Sequence, residues 1–227
     1  MKNHLKRIAS PRTWVLDRKE TVFTVRPNAG AHSLNFGLAL GTVLRDVLKL
    51  AQTMAEVKKM LHANEVLVDG RRRKDHRLII GLFDVLAIPS LKQYHRVVFD
   101  KKGRLVLVAI KEEESTFKPC KITGKTVLPK GVLQFNLHDG RNVRATEKAN
   151  VGDTLLISLP DQKVKKVLPL QEKASVFLTG GKHAGNFGVL KEVHGKEATF
   201  LAEGQDIETA KTHLFVVGDS KPLVTLS

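Results

Sequence analysis

The chain has 227 residues, 42% of them hydrophobic, and carries 38 Lys and Arg against 23 Asp and Glu, a formal charge of +15. That length buries a real core in one large or two to three small domains, and that charge selects a polyanionic partner: RNA, DNA or an acidic membrane surface. A membrane partner is not expected, because no apolar run approaches the roughly 20 residues of a spanning helix and the basic N-terminus lacks the apolar stretch of a secretory signal. The single cysteine, Cys120, excludes an internal disulfide framework and a multi-cysteine zinc site, so the chain reads as soluble and intracellular.

The charge is uneven. Residues 1–50 carry +6, 51–92 carry +3, 93–167 carry +7 and 168–227 carry −1. The first three quarters are therefore expected to make most of the polyanion contacts.

The first 30 residues show neither helical nor strand periodicity. Lys2, His4, Lys6, Arg7, Arg12, Arg18, Lys19 and Arg26 punctuate them, and Pro11 and Pro27 break them. The reading is an extended basic arm over residues 1–36, partly disordered without its partner, with Trp14, the only tryptophan, as an anchor.

A compact helical unit follows. Leu40, Val43, Leu44, Val47, Leu48 and Ala51 recur at helical spacing and predict a helix of about three turns, with Arg45 and Lys49 on its opposite face. Thr53-Met54-Ala55-Glu56 is a capping box. It opens a second helix with Val57, Met60 and Leu61 inward and Lys58, Lys59 and His62 outward. Val66-Leu67-Val68-Asp69-Gly70 reads as a strand into a tight turn, from which Arg71, Arg72, Arg73 and Lys74 leave together. Phe83 to Ile88 reads as the closing strand. Arginine donates bidentately to phosphate and stacks on bases, so this cluster and the helix-borne Arg45, Lys49 and Lys58 are candidate RNA contacts.

From about Lys92 the pattern becomes all-β. Arg96–Phe99 and Leu105–Ile110 flank Asp100-Lys101-Lys102-Gly103. Val132–Leu137 and Asn142–Ala145 flank Asp139-Gly140, and Thr154–Leu159 follows Gly152-Asp153. Pro160 to Pro169 is either a linker or a basic strand. The C-terminal part holds Val176–Leu178, a glycine-rich loop with Gly180, Gly181, Lys182, Gly185 and Gly188, then Val189–Val193 and Ala198–Leu201. The loop is not a nucleotide-binding P-loop: Lys182 precedes Gly185, and no Ser or Thr follows a Gly-Lys pair here. The glycines are read as permitting positive φ and letting the backbone approach a partner closely.

Catalytic and metal chemistry find little support. The nine histidines are scattered without ligand spacing. Cys120, between Pro119 and Lys121, has no recognisable base, and Glu112-Glu113-Glu114 reads as an exposed loop.

Three stretches carry a resemblance. Thr42–Leu48 with Val66–Arg73 resembles the S-four RNA-binding domain, here over residues 37–100, and Val176–Val193 resembles a KOW motif of an SH3-like barrel. With His4-Leu5-Lys6-Arg7 and Ala9-Ser10-Pro11-Arg12-Thr13-Trp14 at the start, nearly the whole chain resembles the archaeal and eukaryotic-type ribosomal protein four family of the small subunit (the "e" class). One departure is clear. The family's Gly-Pro-His-Lys-Leu-Arg-Glu stretch stands here as Gly30-Ala31-His32-Ser33-Leu34-Asn35-Phe36, without two basic residues and an acidic one.

The resemblance implies an α+β, multidomain chain: an arm (1–36), a small α/β RNA-binding domain (37–100), a central β domain (101–170) and a C-terminal SH3-like KOW β-barrel (171–227). It implies small-subunit rRNA and neighbouring ribosomal proteins as partners, a cytoplasmic ribosome as location, and no catalysis, cofactor, metal or small-molecule substrate. The expected rRNA contacts are Lys2, His4, Lys6, Arg7, Arg12, Arg45, Lys49, Lys58, Arg71, Arg72, Arg73 and Lys74. Two other readings compete: an RNA-modifying enzyme with the same RNA-binding domain, and a free KOW-type RNA chaperone or elongation factor. Against the enzyme, the Arg-Leu-Asp context of pseudouridine synthases is matched only by Leu16-Asp17-Arg18, in the wrong order and place.

Overall fold

The computed structural model describes residues 3–63, 65–144, 147–202, 204–219 and 221–226. It divides into two units, Met1–Val98 with Arg104–Ser115, and Phe99–Gly103 with Thr116–Ser227. Helix is scarce: among the described residues there are two α-helices against nineteen short strands. The chain is mostly β.

The first unit runs β1 (Leu5–Lys6), β2 (Phe23–Thr24), β3 (Gly37–Ala39), α1 (Leu40–Thr42), α2 (Met54–Ala63), β4 (Leu67–Val68), β5 (Arg71–Arg72), β6 (Ile79–Gly81), β7 (Val85–Ile88), β8 (Gln93–Phe99) and β9 (Leu105–Ala109). The arm, expected to be extended, is instead folded back. β1 pairs antiparallel with β2, Leu5 opposite Thr24. Trp14 is buried as anticipated; its indole N–H donates to the Leu34 carbonyl at 3.1 Å and its backbone bridges to Leu105. An indole gains by leaving water only if its N–H finds an acceptor, and Leu34 supplies one.

The first predicted helix is much shorter than its apolar spacing indicated. α1 is a single turn that widens into a π-helical turn over Val43–Val47, with Leu48 N–H donating to the Val43 carbonyl. The chain leaves at Lys49, whose positive φ of 54° ends the helix. Leu40, Val43 and Leu44 reach the core, whereas Val47, Leu48 and Ala51 are only half-buried. The second helix is as expected. Thr53 Oγ1 accepts from Glu56 N–H at 3.3 Å, and the Glu56 carboxylate reaches back to the Gln52 and Thr53 amides. Val57 and Leu61 are buried, and Lys58, Lys59 and His62 are exposed.

Asp69 and Gly70 form the two-residue loop between β4 and β5, both at positive φ, 51° and 72°. That is the mirror-image turn an Asp-Gly pair favours. The buried Asp69 carboxylate also accepts from Val85 N–H at 2.9 Å and so holds the loop to β7. The main sheet has the order β5-β4-β7-β8-β9, and β3 pairs separately with β6. His32, from the stretch that departs from the resembled family, is buried against Asp84, its Nε2 3.1 Å from both carboxylate oxygens. A Cβ at Gly81 would overlap the His32 ring. Gly81→Ala is therefore expected to cost roughly 1–3 kcal/mol in denaturant unfolding, and a variant as stable as the wild type would contradict this packing.

The second unit runs β10 (Phe117–Val127), β11 (Leu133–Leu137), β12 (Asn142–Arg144), β13 (Thr154–Ser158), β14 (Val164–Leu168), β15 (Ser175–Leu178), β16 (Phe187–His194), β17 (Glu197–Ala202), β18 (Gln205–Ala210) and β19 (Leu214–Gly218). The last residue of the strand predicted over Asn142–Ala145 lies outside the described residues. The Pro160 to Pro169 segment contains a strand, β14. The two five-stranded sheets have the orders β12-β11-β10-β13-β14 and β18-β17-β16-β15-β19. The first packs Cys120, Ile122, Phe135, Leu137, Leu155 and Ile157 together. The second closes over Val176, Leu178, Leu190, Phe200, Leu214 and Val216. Lys121 links the two, its Nζ donating to the carbonyls of Thr212 at 2.7 Å and Leu214 at 2.6 Å. Burial first, then the charge of Lys211, lowers its pKa to about 8.

Candidate nucleic-acid interface

Two cationic clusters form in the first unit, from residues the chain positions in different ways. One lines a cleft of about 1050 Å³ that includes Arg7, Arg12, Arg18, Arg45, Lys49 and Arg104, together with Asp17, Glu20 and Asp46. Arg12 and Lys49 are exposed and Arg45 and Arg104 half-buried. Arg45 Nη2 lies 2.9 Å from the Asp46 carboxylate, so part of its charge is already matched. Lys49 does not share a helix face with Arg45, because its left-handed backbone takes it out of the helix.

Arg7 is a correction. Its side chain is 1% exposed and forms ion pairs at 2.6 Å with Glu20 and with Asp46, while Nη1 also donates to the Asp17 carbonyl. A guanidinium with those partners is a fastener between the folded arm and the π-helical turn, not an RNA contact. Arg18 similarly donates to the carbonyls of Ile8, Ser10 and Pro11 at 3.1 Å.

The other cluster is carried by α2 and the β4–β5 hairpin. Arg71, Arg72 and Lys74 are exposed, and Arg73 is half-buried. Arg71 and Arg72 lie in β5, the strand that leaves the Asp69-Gly70 turn. Arg72 Nη2 donates to the His62 carbonyl at 3.1 Å, placing a cation at the C-terminal end of α2 where the helix dipole favours it. Burial, and next the charge of Lys58, hold His76 below the usual imidazole range; a Cβ at Gly41 would meet both Met54, at the start of α2, and His76, so α2 and the segment after β5 lie close together. Lys59, on the same helix and exposed, belongs with them. Of the remaining expected contacts, Lys6 is exposed in β1, His4 is exposed and meets the Phe23 ring edge-on at 5.8 Å, and Lys2 lies outside the described residues.

In the glycine-rich loop Gly181 and Gly185 take the expected positive φ, 82° and 90°, and the close approaches seen among the described residues are to the chain itself. A Cβ at Gly185 would overlap the Asp100 carbonyl, one at Gly188 the Leu201 carbonyl, and one at Gly180 the His213 ring. These glycines let the loop pack on its own chain, and Gly181 and Lys182 are left exposed.

One cluster was invisible in the sequence. Cys120 Sγ, a His138 ring nitrogen and an Asp139 carboxylate oxygen lie within 4.8 Å of one another, although the histidines looked scattered and Cys120 partnerless. The donor types suit a metal, but the surroundings do not. Lys118 Nζ is 2.9 Å from Asp139 Oδ2, with side chains 0% and 1% exposed, and Arg141 Nε is 3.2 Å away. A divalent ion would add charge to a carboxylate two cations already neutralise. Burial would raise the Asp139 carboxyl, but Lys118, His138 and Arg141 outweigh it and hold it at about 2. Likewise Glu114 is not merely a loop residue: it pairs with the buried Arg96.

Comparison with known proteins is decisive about kinship. Residues 1–35 match the family model RS4NT (NUC023) domain, and residues 91–164 match Ribosomal family S4e. The small ribosomal subunit protein eS4 of Methanocaldococcus jannaschii is 42% identical, over 99% of this chain and 98% of the relative. The chain belongs to the small ribosomal subunit protein eS4 family. The eS4 of Methanosphaera stadtmanae is 41% identical over 99% of this chain and 96% of its own. The crystal structure of the 30S ribosomal protein S4e from Thermoplasma acidophilum matches with a TM-score of 0.69 at 29% identity, covering 82% of this chain and 95% of the other. Membership of the eS4 family thus rests on the full length, and the two family-model matches fall on the folded arm and on the region from Leu91 into β14.

Proposed function

We propose that this chain is a structural constituent of the small ribosomal subunit that binds rRNA and stabilises a junction where several RNA helices approach. The observation that carries the reading is the 42% identity to an eS4 protein over both full lengths. In it, residues 37–100 act as an S-four-type RNA-binding domain, 101–170 as a central β domain and 171–227 as a KOW-bearing SH3-like barrel, with 1–36 as the arm. The location is the cytoplasmic ribosome, the other partners are neighbouring ribosomal proteins, and the role needs no catalytic step, cofactor or small-molecule substrate.

The rRNA contacts in this reading are His4, Lys6, Arg12, Arg45, Lys49, Lys58, Arg71, Arg72, Arg73 and Lys74. Folded RNA duplexes present phosphates and 2′-hydroxyls rather than readable base edges, so these cations recognise shape and charge. Changing Arg71, Arg72, Arg73 and Lys74 together to Ala is expected to weaken rRNA binding with little change in melting temperature. Loss of stability with unchanged binding would make the cluster structural. Sedimentation of the tagged chain at moderate salt tests the wider reading: co-migration with small subunits supports it, and free migration opposes it.

A further inference from the structure

One face of the β18-β17-β16-β15-β19 sheet covers its own core, and the other is only partly covered. Phe215 on β19, Phe177 on β15 and Phe187 on β16 are successive cross-strand partners and so point to the same face. Phe215 and Phe177 are buried, and Phe215 meets His138 edge-on at 5.2 Å. Phe187, the last of the row, is 51% exposed. Val189 and Leu201, paired beside it, are also exposed. A groove of about 380 Å³ runs along Phe187, walled by Lys101, Leu201 and the bare backbone of Gly185 and Gly188. Neither glycine tolerates a side chain, which fixes the groove's shape.

Among the described residues the lip carries lysines, although the last quarter of the chain is not basic. Lys101 lines the groove, and Lys102 and Lys182 are exposed on the 99–103 turn and on the glycine-rich loop. Asp206 on the adjoining β18 is held by Lys191 at 2.6 Å.

We propose that this groove holds one unstacked nucleotide of the bound rRNA, its base against the Phe187 ring and its phosphate on Lys101. The proposal rests on the rRNA-binding reading above and adds a second mode to it. A ring half open to solvent, beside the buried Phe177 in the strand pairing, is a stacking platform. Every base has a π-face to offer, but only where it is unpaired, so the nucleotide belongs to a loop, bulge or end. An apolar protein segment would fill the same groove without use for the lysine lip, which favours a nucleotide.

The test uses the full chain with transcribed small-subunit rRNA of Methanocaldococcus jannaschii. F187A is expected to lower affinity about five- to a hundredfold, the range for losing one base stack, with unchanged melting temperature and salt dependence. F187W is expected to keep the affinity, K101Q to lessen the salt dependence by about one phosphate, and ultraviolet cross-linking to join an unpaired nucleotide to residue 187. Wild-type affinity in F187A with no such cross-link would overturn the groove proposal while steep salt dependence left the rRNA-binding reading standing. If F187A binds naked rRNA normally but enters reconstituted subunits poorly, a protein occupies the groove and the proposal fails. Salt-independent binding by the wild type would remove both.

Discussion

Replacing Lys118 by methionine is expected to destabilise the second unit by about 3 kcal/mol at neutral pH, measured by denaturant unfolding of the full chain. Lys118 and Asp139 are fully buried and 2.9 Å apart. Breaking such a pair by removing one partner costs about 3–5 kcal/mol, because the other charge stays buried without its counterion. The lower end applies here, since Arg141 still lies 3.2 Å from Asp139. The pH dependence has a definite sign. The Asp139 carboxyl is held at about 2 in the folded chain, below its ordinary 3.8, so its contribution to stability is present above that ordinary value and is lost as pH falls toward 2. In Lys118→Met the carboxyl rises and takes a proton more easily, so the deficit against the wild type narrows as pH falls. Adding Asp139→Leu should recover most of the loss. A Lys118→Met chain within 1 kcal/mol of the wild type at pH 7 would show that the pair contributes little.

Arg7→Met is expected to cost about 2–4 kcal/mol without RNA present, and to expose the arm to proteases. Arg7 holds Glu20, Asp46 and the Asp17 carbonyl at once. Arg45 continues to pair with Asp46 after the substitution, which limits the loss. Unchanged melting temperature with weakened rRNA binding would return Arg7 to the RNA-contacting set.

The local elements were legible in the sequence because their signals are local. The Thr53–Glu56 capping box, the Asp69-Gly70 turn and the burial of Trp14 follow from residues a few positions apart or from one residue's chemistry. What was missed depends on distant partners. Arg7 is charged and sits among other cations, but the carboxylates that pair with it are 13 and 39 positions away. The same holds for Cys120, His138 and Asp139: Cys120 and Asp139 are 19 positions apart and meet only where the turn after β11 folds back on β10. β10 was not recognised because Pro119 and Gly124 interrupt it. It tolerates Pro119 because Phe117, Lys118, Pro119 and Cys120 pair with β13 alone, and its β11 ladder starts at Ile122.

The segment charges also overstate what RNA can meet. In the segment 93–167, the one carrying +7, Arg96 is matched by Glu114, Lys118 by Asp139, and Lys121 by two backbone carbonyls. The glycine-rich loop was noticed for the right residues, but its glycines serve internal packing, and Phe187 carried no signal until the strands placed it beyond the buried Phe177.

The salt dependence of affinity for small-subunit rRNA tests the central claim most directly. Among the described residues, Lys6, Arg12, Lys49, Lys58, Arg71, Arg72 and Lys74 are the exposed Lys and Arg side chains of the expected contacts. If each neutralises one phosphate, log K should fall against log salt concentration with a slope of about −5 to −6. A slope near zero between low and moderate salt would contradict binding through these phosphate contacts.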